Sequence, residues 1–181
     1  VLTNYTITNL AEGTHYWNVT CNDTVGNLNA TGSETRRFTV DTVVPSNIAL
    51  NTGNARNFSS STVNLNWTAT DATSSVVNCT LTVDNVVNKT GLYSATGVMA
   101  NYSLTNFAEG SHTWYVNCSD YAGNANTTGS ETRTFTVDTL KPHTIALSTV
   151  ATGLNSSASS LNFNWTATDA TSSVVTCDLV I

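Results

Sequence analysis

The sequence predicts an all-β chain of tandem antiparallel β-sandwich domains, each about 97 residues long. The first observation is a repeat, because residues 5–50 match residues 102–147 at 29 of 46 positions, and NWTATDATSSVV occurs at both 66–77 and 164–175. A repeat of this length indicates one domain copied in tandem. The second observation is an alternation of apolar and polar residues with a period of two, which is typical of half-buried strands.

The repeated segment FTVDT-x-x-P sets the expected domain boundaries, since it occurs at 38–45 and 135–142. Residues 43–139 are expected to form a complete repeat. Residues 1–42 are interpreted as the C-terminal part of one repeat, and residues 140–181 as the N-terminal part of a further one. Two interpretations stay open: the sequence is an excerpt of a longer chain, or the end of one copy completes the start of the next along a fibre.

Four segments of the complete repeat alternate clearly enough to assign a core-facing side. That side comprises Val63, Leu65, Trp67 and Ala69 in the first segment, Val77, Cys79, Leu81 and Val83 in the second, Trp114, Val116 and Cys118 in the third, and Phe135 and Val137 in the fourth. Turn-forming sequences rich in Asp, Asn, Gly and Ser separate the strands at 71–75 and 120–126. About seven short strands in this length predict two packed sheets.

The composition excludes some classes of partner. Lys and Arg total 6 against 12 Asp and Glu, which gives a net charge of −6 and argues against nucleic acid binding. No apolar run approaches membrane-spanning length. Only 10% of residues are charged, while Thr, Ser and Asn together supply 76 of the 181 residues. Uncharged polar groups must therefore keep the surface soluble.

The four cysteines occupy equivalent places in the repeats. Cys79 and Cys118 form the pair of the complete repeat and are expected to be bridged, on neighbouring strands of one sheet. The pair differs from that of an antibody domain because Trp67 precedes the first cysteine. Cys21 and Cys177 are expected to pair with an adjacent copy or with a segment outside the sequence. Structural disulfides imply an oxidising, extracellular setting.

Three motifs carry a family resemblance: WTATD, the turn D-x-A-G-N and FTVDT-x-x-P. They resemble those of the immunoglobulin-like or fibronectin type III-like repeats of large bacterial and archaeal cell-surface proteins. The resemblance extends over the entire chain and implies an immunoglobulin-like sandwich. It also implies a role in stalks, adhesins, cell-wall proteins or filaments. These motifs indicate a fold and a tandem arrangement, and they do not indicate an activity.

The sequon Asn-x-Ser/Thr occurs 13 times, about twice the number that composition alone would give. The acceptors are Asn4, Asn18, Asn22, Asn29, Asn57, Asn66, Asn78, Asn88, Asn101, Asn117, Asn126, Asn155 and Asn164. Strand alternation places Asn18, Asn66, Asn78, Asn117 and Asn164 on the solvent side, where a glycan would fit. Several sequons are therefore expected to be glycosylated, with crowding between Asn78 and Asn117.

The acidic residues at turns allow two interpretations. They are Asp23, Asp41, Asp71, Asp120, Asp138 and Asp169. Hydrogen bonding within Asx turns is the preferred explanation, and Ca²⁺ binding between domains is the alternative. Otherwise no cofactor is expected. Glu12 and Glu109 are expected to be solvated caps. Because His15 and His112 lack a recognisable nucleophile with an orienting acid, an enzyme is not expected.

The sequence thus predicts a structural component of an extracellular, N-glycosylated filament, stalk or surface fibre. Its partners would be copies of itself in a helical or linear polymer, together with covalent glycans. Prolines in the short linkers DTVVP and DTLKP restrict the backbone, so neighbouring domains would keep a constant relation. The alternatives are an adhesin or carbohydrate-binding surface protein whose binding tip lies outside this sequence, and the spacer region of an extracellular enzyme.

Overall fold

The computed structural model describes residues 3–148 and 152–181, and every regular element in these two ranges is a β-strand. In chain order the strands are β1 (Gly13–Trp17), β2 (Arg36–Val40), β3 (Ser46–Leu50), β4 (Arg56–Phe58), β5 (Val63–Thr70), β6 (Val76–Val83), β7 (Val86–Ala95), β8 (Ala100–Leu104), β9 (Gly110–Ser119), β10 (Arg133–Val137), β11 (Thr144–Leu147) and β12 (Trp165–Thr168). In the same residues, no helix is long and apolar enough to cross a membrane. The predicted all-β class is confirmed.

Two sheets form the central part of the molecule. One has three strands in the order β3-β5-β8, and the other has five in the order β4-β10-β9-β6-β7. All pairings are antiparallel except that of β4 with β10. Both sheets contribute side chains to one core, which is the arrangement of a β-sandwich.

The core consists of the residues that strand alternation predicts. All thirteen side chains assigned to the core-facing side are at most 3% exposed, and Leu50 joins them from β3. Trp67, Trp114 and Phe135 are the largest side chains that are fully buried. Burial of such side chains stabilises the fold by about 1.5–3 kcal/mol for each medium-sized apolar group.

The disulfide between Cys79 and Cys118 joins β6 to β9, with an S–S distance of 2.06 Å. The two residues lie directly opposite each other in the strand register, and their Cα atoms are 4.0 Å apart. Both sulfur-bearing side chains belong to the core. The bridge and its position on neighbouring strands of one sheet are therefore as predicted.

The connection between β6 and β7 is a two-residue hairpin turn that the sequence reasoning did not identify. Asp84 and Asn85 have φ values of 51° and 62°. Positive φ at both central residues is typical of a type I′ turn, which Asn and Asp tolerate better than most residues. The turn places the Asp84 carboxylate beside β9.

Two further strand pairs flank the central sheets, and their apolar faces are open. β1 pairs with β2, and β11 pairs with β12. Trp17 is 50% exposed, whereas its repeat equivalent Trp114 is fully buried. Leu147 is 80% exposed, whereas its equivalent Leu50 is 3% exposed. Residues that form the core of the central sandwich are thus solvent-exposed in the flanking pairs.

Candidate functional site

The first linker, residues 41–45, contacts both the strand pair before it and the sandwich after it. On the preceding side, the Glu12 carboxylate accepts hydrogen bonds from the Thr42 amide, at 3.1 Å, and from the Thr42 hydroxyl. On the following side, the Ser74 hydroxyl donates to the Asp41 carboxylate at 2.6 Å. Pro45 is fully buried. The linker is therefore fixed at both ends.

Two asparagines of the loop after β9 hold the same linker through its backbone. The Asn124 side-chain amide donates to the Asp41 carbonyl at 2.9 Å, and the Asn126 amide donates to the Pro45 carbonyl at 2.7 Å. Each hydrogen bond of this kind contributes about 0.5–1.5 kcal/mol. Because these contacts are spread along the linker, they restrict rotation about it more than a single bond would.

The second linker, residues 138–142, repeats the first set of contacts. The Glu109 carboxylate accepts from the Thr139 amide, at 2.9 Å, and from the Thr139 hydroxyl. The Ser172 hydroxyl donates to the Asp138 carboxylate. Glu12 and Glu109 are exposed, as expected, but each also has specific partners on a linker. The sequence reasoning missed this role because the partners lie 30 residues away.

The turn aspartates accept hydrogen bonds from nearby backbone amides. Asp71 Oδ1 accepts from the amides of Thr73, at 2.9 Å, and Ser74, at 2.7 Å. Asp120 is 6% exposed and uses both carboxylate oxygens to hold Asn124. The bond from Thr73 to Asp71 is that of an Asx turn, whereas Asp120 holds a residue four positions further along. Within residues 3–148 and 152–181, no group of three or more His, Cys, Asp or Glu side chains is arranged to hold a metal ion.

His112 is part of a half-buried ion pair. Its Nδ1 lies 2.7 Å from Asp84 Oδ2, and its Nε2 lies 3.0 Å from the Ala108 carbonyl oxygen. Both partners only accept hydrogen bonds, so the doubly protonated imidazolium suits the site. Burial is the largest single influence and opposes the charge, but the hydrogen bonds to Asp84 and to the Ala108 carbonyl, together with the negative charge of Asp84, outweigh it and raise the pKa of His112 above its ordinary 6.5. With both nitrogens occupied, His112 has a structural role here.

The pKa of Asp84 moves in the opposite direction. Burial alone would raise it, but the hydrogen bonds from His112 and from the Thr113 amide, at 2.8 Å, lower the pKa below its usual value. His112 also stacks on Phe135, with ring centroids 5.2 Å apart. The pair therefore connects the β6–β7 turn to β9 and to the edge of the core.

The sequons differ in accessibility. Nine acceptors are exposed: Asn4, Asn18, Asn22, Asn29, Asn57, Asn88, Asn101, Asn155 and Asn164. Four are half-buried: Asn66, Asn78, Asn117 and Asn126. Asn126 is the acceptor whose amide holds the Pro45 carbonyl. Asn88 Oδ1 accepts a hydrogen bond from the Val83 amide at 2.8 Å.

Strand register brings some sequons close together. Asn66 on β5 lies directly opposite Asn101 on β8, and side chains in such positions have Cβ atoms about 4.5–5.5 Å apart. Asn117 lies opposite Thr80, and Asn78 lies opposite Ser119, so Asn78 and Asn117 are diagonal neighbours. Asn66 and Asn101 are therefore closer across strands than Asn78 and Asn117, and the sequence reasoning did not identify them as a pair.

The remaining two cysteines are free thiols, with Cys21 exposed and Cys177 half-buried. A tyrosine on β7 and another just after β9 form a further feature that the sequence did not indicate. The Tyr93 and Tyr121 ring centroids are 6.4 Å apart with an interplanar angle of 30°. Tyr93 is 63% exposed and Tyr121 is 77% exposed.

Comparison with known proteins gives no relative from which a function could be transferred: no protein-family model matches the chain, and no curated protein matches it. Any function must therefore be argued from the chain's own residues.

Proposed function

We propose that this chain is part of a tandem array of immunoglobulin-like domains that serves as an extracellular, N-glycosylated filament, stalk or surface fibre. The observation that carries the proposal is the recurrence of the linker contacts. Glu12 and Thr42 correspond to Glu109 and Thr139, and Ser74 with Asp41 corresponds to Ser172 with Asp138. Repeating the same junction gives each domain the same relation to the next, and a constant rotation per step produces a helix.

The strand order supports the immunoglobulin-like assignment. If β3, β5, β6, β7, β8, β9 and β10 are named A, B, C, C′, E, F and G, one sheet reads A-B-E, and the other reads G-F-C-C′ with β4 as a further edge strand beside G. This distribution corresponds to that of immunoglobulin-like sandwiches, in which C and F share a sheet. The bridge between Cys79 and Cys118 then joins C to F within one sheet, whereas the antibody bridge joins B to F between sheets.

The open faces of the flanking strand pairs support assembly with further repeats. Trp17 and Phe38 on the β1–β2 pair are equivalent to the buried Trp114 and Phe135. The apolar residues of the β11–β12 pair are equivalent to those of β3 and β5, on the opposite sheet. The two faces therefore match the two halves of one sandwich. We propose that the β1–β2 face of one copy is covered by the β11–β12 pair, or its repeat equivalent, of a neighbouring copy.

The extracellular location is inferred from the disulfide and the sequons. A buried structural bridge is typical of oxidising compartments. Nine exposed sequon acceptors offer attachment points around the surface, and attached glycans would supply the hydration that a chain with 10% charged residues lacks. They would also hinder edge-to-edge pairing of exposed strands.

Electron microscopy of native material tests the architectural role. Uniform fibres with an axial repeat of one or two domains are the expected result. Isolated beads on a stalk with a distinct head would instead favour the adhesin or enzyme-spacer alternatives. Intact-mass measurement with and without glycosidase tests glycosylation separately, and an unshifted mass would remove glycans from the proposal.

Non-reducing electrophoresis distinguishes two ways of building the array. If separate copies complete each other's domains, Cys177 of one copy bonds to Cys21 of the next, and the sample forms a ladder that collapses on reduction. If the array is one continuous polypeptide, a single very large species survives reduction. A Cys21→Ser variant is the matched control, because it abolishes the ladder without touching the bridge between Cys79 and Cys118.

A further inference from the structure

The aromatic pair of Tyr93 and Tyr121 lies on the outer surface of the five-stranded sheet. Tyr93 belongs to β7, and Tyr121 follows the end of β9. With exposures of 63% and 77% and ring centroids 6.4 Å apart, the two rings form one aromatic surface open to solvent. Thr80, Thr82 and Asn117 lie on the same outer side of the sheet.

A crevice adjoins the two rings. Its volume is about 190 Å³, and it is lined by Val76, Asn78, Tyr93, Asp120 and Tyr121. Asn78 faces Tyr93 directly across the β6–β7 pairing. The crevice thus combines an aromatic wall with an amide and a carboxylate.

One polar atom of a residue that lines this crevice has no partner. Asn78 Oδ1 is buried and accepts no hydrogen bond. Buried polar atoms are normally satisfied, and leaving one unpaired is unfavourable. Asp120 Oδ1 and Oδ2 each hold Asn124, yet a carboxylate can accept further bonds. Because Asn78 Oδ1 is closed off from solvent, a ligand reaches it only when the Asn78 side chain turns toward the crevice, whereas Asp120 keeps acceptor capacity at the crevice wall.

We propose that this crevice binds a sugar ring. A pyranose has an apolar C–H face that can stack on the rings of Tyr93 and Tyr121. Its hydroxyl or N-acetyl amide groups can donate to Asp120, and to Asn78 Oδ1 once the Asn78 side chain turns toward the crevice. Aromatic walls with a few placed polar groups are typical of small-ligand sites. The volume suits one ring, with the rest of an oligosaccharide extending into solvent.

The ring can come from a free saccharide or from a glycan attached at the Asn78 sequon. Binding of a free saccharide goes beyond the proposed structural role, since it gives the chain a ligand of its own. Binding of a glycan attached at Asn78 rests on the proposed N-glycosylation. The chemistry is the same in both cases, and two experiments separate them.

The first experiment uses the chain made in a host without N-glycosylation. Saturation-transfer NMR is recorded with maltotriose, cellotriose, mannotriose and triacetylchitotriose. We expect transfer to at least one of them, and an affinity reduced about two- to tenfold by either Tyr93→Ala or Tyr121→Ala. Tyr16→Ala is the matched control, because Tyr16 is 70% exposed on β1 and distant in sequence from the crevice. Circular dichroism verifies that each variant is folded.

The second experiment uses glycosylated material. Nuclear Overhauser contacts between the Tyr93 or Tyr121 ring and sugar protons, lost in Asn78→Gln, identify the attached source. Contacts or transfer in either experiment support the proposal. Two results together overturn it. In the unglycosylated chain, saturation transfer is absent or is unchanged by Tyr93→Ala and Tyr121→Ala, and in glycosylated material no sugar proton contacts either tyrosine ring. If mass measurement finds no glycan on the chain, the proposed glycosylation fails, and the first experiment alone decides whether the crevice binds sugar.

Discussion

Removal of the bridge between Cys79 and Cys118 is expected to lower the free energy of unfolding by about 4 kcal/mol. The bridge closes a loop with a sequence separation of 39 residues. In the chain-entropy model, a loop of this length restricts the unfolded chain by about 13 cal/mol/K, which is about 4 kcal/mol at 25 °C. A domain of this size has a total stability of about 5–15 kcal/mol, so the loss is a large fraction of it.

Urea denaturation followed by tryptophan fluorescence measures this effect, because Trp67 and Trp114 are fully buried in the core. With a denaturant dependence of about 2 kcal/mol/M, the midpoint of the Cys79→Ala/Cys118→Ala variant should fall by about 2 M. The wild-type chain in reducing buffer should shift similarly, since it loses the bridge but keeps both sulfur atoms. Cys21→Ser is the control, because Cys21 is an exposed free thiol.

A destabilisation below about 1 kcal/mol in both the variant and the reduced wild type would refute this reasoning. It would mean that the unfolded chain is already restricted without the bridge. A shift in Cys21→Ser as large as that of the double variant would also contradict it, because the effect would then not belong to the bridged pair.

Three further predictions concern other parts of the chain. Gly129→Ala should lower the free energy of unfolding by about 1–3 kcal/mol, as measured by urea denaturation. Gly129 has a φ of 65°, and a Cβ there would lie 3.0 Å from a backbone carbonyl oxygen. Gly53→Ala is the control and should leave this free energy nearly unchanged, because the space around Gly53 is open. The ion pair of His112 and Asp84 should stabilise the fold most between pH 3.8 and 6.5, the ordinary pKa values of the two groups. This stabilisation should be lost as pH rises through the raised pKa of His112, or as pH drops through the lowered pKa of Asp84. Denaturation of His112→Gln at several pH values should show no decline above pH 6.5. Glycopeptide mapping should find Asn126 unoccupied, because its amide holds the linker, and high occupancy there would contradict the proposed junction.

Strand faces could be predicted from the sequence because side-chain direction alternates at every residue of a strand. Val77 and Cys79, for example, share a face whatever strand lies beside them, and both are buried as expected. The bridge was expected because the complete repeat contains one cysteine pair, and its place on neighbouring strands of one sheet was expected from the usual strand order of a sandwich. These inferences use only local periodicity and a repeat, both of which are visible in a single sequence.

Contacts between distant segments could not be predicted in the same way. The pair of Asp84 and His112 depends on a hairpin turn at 84–85 that brings β6, β7 and β9 into register. The bond from Asn124 to the Asp41 carbonyl spans 83 residues. Alternation predicts which face of the sheet a residue occupies, but it does not predict which residue lies opposite. The linker contacts and the tyrosine pair could therefore be found only in the three-dimensional structure.

The parallel pairing of β4 with β10 determines how the domain would respond to a stretching force. Phe135, Thr136 and Val137 align with Arg56, Asn57 and Phe58. Tension along the chain reaches β4 once β3, which precedes it, has detached from β5. It then pulls β4 from its start and β10 from its end, and these two directions are opposite because the strands run the same way. The hydrogen bonds between them are therefore sheared together and do not open one after another. A domain pulled in this geometry yields only when the whole patch gives way.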